Sequence, residues 1–144
     1  MKKVFDNQDF FKTINDTLLA NKSVSFMVKG HSMSPFLKNE ESEVFLKTKD
    51  NYQIYDICLF KYKDDYRLHR LIKVSNQNYY FRGDHLYQYE IVSKDHILAY
   101  VYQYQNHKLI NVNRLSYKVK VRLFLLYKQV YMFLRRCYLV IKHG

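Results

Sequence analysis

Residues 54–84, IYDICLFKYKDDYRLHRLIKVSNQNYYFRGD, decide the fold. Ile54 to Tyr62 is dense in aromatic and apolar side chains that suit a pleated, half-buried surface, and it reads as a strand. Asp64-Asp65 turns it into a second strand, Tyr66 to Val74. Asn76-Gln77-Asn78 turns that into Tyr79-Tyr80-Phe81, which stops at Gly83-Asp84. Along the chain such turns recur every 8–15 residues. That rhythm suits an all-β meander rather than alternating βα units.

The pattern extends in both directions. Downstream, His96 to Tyr104 forms a further strand, and Lys108 to Val112 can pair with it as a hairpin. Upstream, Glu43 to Lys47 is a short strand closed by a turn at Lys49-Asp50-Asn51. The segment Ser23 to Lys29 alternates, with Val24, Phe26 and Val28 on one face. Residues 8–21 place Phe10, Phe11, Ile14 and Leu18 at helical spacing, with Asn7 or Asp6 as a cap. From about Ser116, the residues Val119, Leu123, Leu126, Tyr127, Val130, Leu134, Tyr138 and Ile141 fall on one helical stripe. The expected protein is mainly β. A domain over residues 1–115 carries a short N-terminal helix, and residues 116–144 form a basic amphipathic helical tail.

Composition agrees. A chain of 144 residues has room for one domain with a real core. Its 48% hydrophobic content excludes a disordered chain, and 3 Gly with 1 Pro exclude low-complexity or linker-rich designs. Cys58 and Cys137 lie far apart, which rules out a disulfide framework and gives no metal or redox spacing. The net charge of +11 leaves nucleic acid, an anionic membrane surface and acidic peptides open as partners. Its distribution says more. Asp95 is the last acid, and Lys108, Arg114, Lys118, Lys120, Arg122, Lys128, Arg135, Arg136 and Lys142 follow it unopposed. A nearly neutral body therefore carries a basic tail. Met1-Lys2-Lys3 starts like a secretory signal, but Asp6, Asp9 and Lys12 interrupt any apolar run behind it. The longest uncharged run in the tail, Gln129 to Leu134, is far short of the roughly 20 residues a membrane span needs. A cytoplasmic location is expected, peripheral on the inner face of the membrane if the tail binds lipid.

Chemistry points to the loop Gly30-His31-Ser32-Met33-Ser34-Pro35. Glycine permits unusual backbone angles and close approach of another chain. Proline fixes the exit direction. A serine held on such a bend can present its hydroxyl and its backbone N–H to one carbonyl. By itself the segment also fits a plain polar turn.

The loop GHSMSPFL resembles the Gly-x-Ser-Met-x-Pro box of the serine peptidase superfamily that joins signal peptidases to the self-cleaving repressors of the SOS response. Further landmarks of that superfamily have counterparts here in order. Tyr55-Asp56-Ile57-Cys58-Leu59-Phe60 is similar to its Gly-Asp-Ile-Val strand. Leu68-His69-Arg70-Leu71-Ile72 resembles the His-Arg segment of the endoplasmic-reticulum and archaeal type. Phe81-Arg82-Gly83-Asp84 resembles the Lys-Gly-Asp box, and Ile97-Leu98-Ala99-Tyr100-Val101 the closing strand. Together these cover residues 24–104. The resemblance implies a signal-peptidase-like β-fold, similar to the C-terminal domain of the repressors.

It also implies roles. Ser32 becomes the nucleophile and His69 its base, where bacterial signal peptidases and the repressors use lysine. A serine hydroxyl needs a nearby base, and an ordinary imidazole is already largely neutral at physiological pH. A lysine must be desolvated to lose its proton, so a histidine site can be wetter. A third residue would orient the imidazole. Asp84 and Glu90 both qualify: Asp84 belongs to the recognisable Gly-Asp box, and Glu90 lies at the spacing of the triad aspartate in the endoplasmic-reticulum type. Asp84 is preferred. The backbone N–H of Ser32 would stabilise the oxyanion. Gly30, two residues earlier, removes the side-chain donor that many signal peptidases place there. His31 is a second candidate base, although adjacent side chains usually diverge. His85, His96, His107 and His143 show no metal-ligand spacing, and no metal or cofactor is expected.

The implied substrate is a peptide or protein precursor, bound by strand addition beside Ser23 to Lys29. Val24, Phe26 and Val28 suit pocket and core equally well. A catalytically silent peptide-binding or partner-docking module on the same scaffold is the competing reading. Unlike the families it resembles, the sequence is expected to have neither the membrane helix of bacterial signal peptidases nor the DNA-binding domain of the repressors. It resembles the short, free-standing members, which suggests processing of signal or leader peptides. The tail can then serve an anionic membrane surface, a maturation or export partner or acidic leader peptide, or its own sheet. Nucleic acid is the least favoured partner, because no recognition motif accompanies the charge.

Overall fold

The computed structural model describes residues 7–144. Asp6, one of the two expected caps, lies outside them, and Asn7 is already helical. The chain parts into two compact units, one running through Ile110 and the other from Asn111 to Gly144, slightly ahead of the boundary expected at 115/116.

The first unit is built on β-strands, as the turn spacing implies. Helix α1 (Asn7–Leu19) leads to β1 (Val24–Met27), β2 (Glu43–Lys47), β3 (Ile57–Tyr62), β4 (Asp65–Ser75), β5 (Asn78–Arg82), β6 (Glu90–Ser93), β7 (Ile97–Gln105) and β8 (Leu109–Asn111). A short 3-10 turn at Lys94–His96 precedes β7. The strands make one eight-stranded sheet in the order β1-β2-β7-β3-β4-β5-β6, with β8 paired to β7, and the six strand pairings along that order are antiparallel. Among the described residues, β6 is the one strand that sequence reading missed. Its four residues, Glu-Ile-Val-Ser, are too few to establish an alternation.

Strand alternation explains the core. Cys58, Phe60, Leu71, Phe81, Val92, Ile97 and Tyr100 form a buried cluster. Within it the rings of Phe60 and Phe81 stack with centroids 4.1 Å apart. Truncating either ring to alanine would remove about 3–5 kcal/mol of stability, the usual cost of emptying an aromatic site. Helix α1 buries Ile14 and Leu18, while its half-buried Phe10 and Phe11 meet Phe26 of β1 edge-on. Phe11 also stacks on Tyr66 at the start of β4.

The second unit is dominated by one long helix, α2 (Leu115–His143). It starts within a residue of the expected position. None of the helices among the described residues is long and apolar enough to cross a membrane.

Candidate functional site

The segment between β1 and β2 is irregular but pinned at many points. Gly30 adopts a φ of 92°, which L side chains rarely tolerate, and its N–H donates to the Asn39 side-chain oxygen at 2.7 Å. Val28 N–H donates to the Ser42 carbonyl, and Glu40 N–H returns a bond to the Val28 carbonyl. Met33, Phe36 and Leu37 are buried, so the loop is anchored by apolar side chains on both sides of Pro35, whose peptide bond is cis. Ser42 Oγ bonds Asn106, which also donates to the Phe36 carbonyl and ties the loop to the end of β7. Half-buried Ser32 sits on this frame.

A second tether reaches Ser32 from the connection between β5 and β6. His85 N–H donates to the Ser32 carbonyl at 2.9 Å. Gly83 lies so close that a Cβ there would stand 2.6 Å from the same carbonyl oxygen. Glycine is required at 83 by this backbone contact, which explains the Gly-Asp pair in physical terms.

His69 is buried in the middle of β4, opposite Cys58 of β3. Its Nε2 is 3.0 Å from Ser32 Oγ, and its Nδ1 is 2.9 Å from Glu90 Oε2. An ionised carboxylate can only accept, so Nδ1 carries the hydrogen and Nε2 is left to accept from the serine hydroxyl. Three residues distant in sequence thus form one hydrogen-bonded chain, with the imidazole oriented as a general base requires. The Glu90 side chain is 15% exposed, so the outer end of the chain is only partly wet.

The preference for Asp84 as third member needs correction. Successive residues of a strand point to opposite faces, so Arg70 turns away from the side that His69 faces. Asp84 goes with it. Arg70 Nε and the second guanidinium nitrogen donate to the two Asp84 oxygens at 2.8 and 2.7 Å, while a third nitrogen donates to the Tyr55 carbonyl at 3.0 Å. Both residues are buried and the guanidinium lies 5.0 Å from the Phe36 ring centre. Asp84 is therefore occupied by a bidentate ion pair beneath the serine loop, and Glu90 is the carboxylate at His69.

Sequence reading did not foresee the role of Arg70. The signal was present: in Leu68-Arg70-Ile72 an arginine interrupts an apolar alternation, and a buried guanidinium requires a carboxylate. His31, the other candidate base, is exposed, and the serine hydroxyl bonds His69 instead. Of the three candidate pocket residues, Val28 is buried, Phe26 is half-buried against α1, and Val24 is half-buried. Ser25 and Met27 occupy the exposed face of β1. The described residues hold no group of three or more potential metal ligands among His, Cys, Asp and Glu.

Two other groups lie in or against the buried cluster. Burial pushes the Cys58 thiol well above its usual range, with the Asp56 charge adding to the effect. Burial likewise raises the Tyr52 phenol to about 12. Both therefore remain protonated and inert at neutral pH. No protein-family model matches the chain, and no curated protein matches it either.

Proposed function

We propose that this chain is a serine endopeptidase acting on a precursor, signal or leader peptide, on a signal-peptidase-like scaffold. The Ser32–His69–Glu90 chain, with its 3.0 and 2.9 Å links, is the observation that carries the reading. Ser32 Oγ attacks the scissile carbonyl as His69 Nε2 takes its proton. His69 then returns that proton to the leaving amine, giving an acyl-enzyme. Water, deprotonated by the same imidazole, releases the acid. Glu90 holds the imidazole tautomer and balances the transient imidazolium. The backbone N–H of Ser32 donates to the oxyanion.

Peptide binding fits the sheet. β1 ends the strand order and leads directly into the serine loop, so an extended substrate can add beside it with backbone hydrogen bonds. Tyr55 adds support of another kind. Its φ of 78° is a glycine-like conformation, at the position where the resembled strand has glycine.

The test is a peptide-library cleavage assay read by mass spectrometry. The wild-type chain should cleave, while Ser32→Ala and His69→Ala should be silent with unchanged circular dichroism. Cleavage at the wild-type rate by either variant removes the proposal. Peptide binding without cleavage by the wild type would instead establish a silent binding module.

A further inference from the structure

Helix α2 has a pronounced sidedness that the peptidase chemistry leaves unused. Val119, Leu123, Leu126, Val130, Phe133, Leu134 and Ile141 recur at spacings of three, four and seven, which places them on one side of a helix. They are solvent-exposed: Leu123 61%, Phe133 65% and Ile141 80%. Isolated exposed leucines need no explanation, but a continuous stripe along a 29-residue helix does. Such a helix is roughly 40 Å long at the standard rise.

The borders of the stripe are also distinct. On one side Lys118, Arg122, Gln129 and Arg136 follow at spacings of four and seven. On the other side Tyr127, Tyr131 and Tyr138 form a row of exposed phenols. Tyrosine favours an apolar–polar boundary because its ring is apolar and its hydroxyl is wet. Long cationic side chains can lay their stems on apolar surface while the charge reaches headgroups. From residue 96 onward no acidic residue offsets the cations.

We infer that α2 is an in-plane membrane-surface helix whose apolar stripe enters the interface of an anionic lipid bilayer, with its flanking Lys and Arg meeting the headgroups. One planar anionic surface satisfies the stripe, its cationic border and its row of phenols. A second copy of the chain would bring two acid-free cationic helices together, which charge repulsion opposes. A nucleic acid would satisfy the cations and leave the stripe wet. The inference does not depend on the peptidase reading, and its test involves no cleavage.

The experiment is vesicle flotation of the full chain with phosphatidylcholine vesicles, with and without phosphatidylglycerol. Binding should require the anionic lipid and weaken as salt screens the charges. The double variant Leu126→Ser, Phe133→Ser keeps the charge and should bind about tenfold more weakly or worse, since two large apolar side chains are lost from the interface. The chain contains no tryptophan, so Phe133→Trp supplies a clean reporter. Its emission should shift to the blue on anionic vesicles, while Gln129→Trp on the cationic border should shift less. Failure to float with anionic vesicles overturns the inference. Equal flotation of the serine double variant also overturns it, because adsorption would then be by charge alone. So does a lipid-free dimer that the double variant dissociates, which would assign the stripe to self-association.

Discussion

At the scale of single residues, the proposed chemistry rests on which carboxylate meets His69. Asp84 and Glu90 are six positions apart, one on the β5–β6 connection and the other at the first residue of β6, yet one supports the fold and the other faces the imidazole. Glu90→Gln keeps the size but can donate to Nδ1, favouring the wrong tautomer. It should lower kcat by about 10²–10⁴, with a small change in melting temperature. Loss of stability without loss of rate would return Glu90 to a purely structural role. Gly83→Ala tests the other tether. Its Cβ would stand 2.6 Å from the Ser32 carbonyl, so the two loops must separate. The expected result is a fall in both kcat and melting temperature, measured on the same preparation.

At the scale of elements, β4 carries the site in two consecutive residues. His69 meets Ser32 and Glu90 on one face and Arg70 holds the loops on the other. Asp84→Ala would take the carboxylate from a buried guanidinium and should cost about 3–5 kcal/mol in chemical denaturation. Replacing both partners with Arg70→Met and Asp84→Leu should recover most of that loss, because no uncompensated charge remains. Additive losses in the double variant would contradict this account. The element scale also shows what sequence could reveal. The strands from β2 to β5 and β7 were legible because their apolar density and turn residues are local signals. So was the Ser32–His69 pair, through its sequence context. The choice between Asp84 and Glu90 was not legible, since it depends on the face each carboxylate reaches after the connection folds. The face of β1 was similarly hidden: alternation identifies two sides but does not say which one α1 covers.

At the scale of the whole molecule, the excess charge and the Ser32–His69–Glu90 chain occupy different parts of the sequence. Ser32, His69 and Glu90 all precede the last acid, Asp95, and nine cations follow it. The total charge therefore says little about the candidate site. Stability at alkaline pH draws on the body. The Tyr52 phenol is raised from 10.0 to about 12 in the folded state, mainly by burial. A group whose folded value is raised contributes fully below its unfolded value, and that contribution disappears as pH climbs through the folded one. Melting temperature should therefore fall between about pH 10 and 12 more steeply in the wild type than in Tyr52→Phe. Parallel curves would mean that the phenol is as easily ionised folded as unfolded.

The pairing of β4 with β3 has one further consequence. His69 lies opposite Cys58 and Arg70 opposite Ile57, so each side chain's destination is fixed by register. A slip of one position along β4 would exchange the two faces and present a guanidinium, rather than an imidazole, to the serine. Substitutions on this strand can be graded in their effects, but single-residue insertions or deletions before position 69 cannot. The hairpin between Tyr62 and Asp65 thus acts as a reading frame for the candidate site, and a frameshift in space would be as damaging as one in a message.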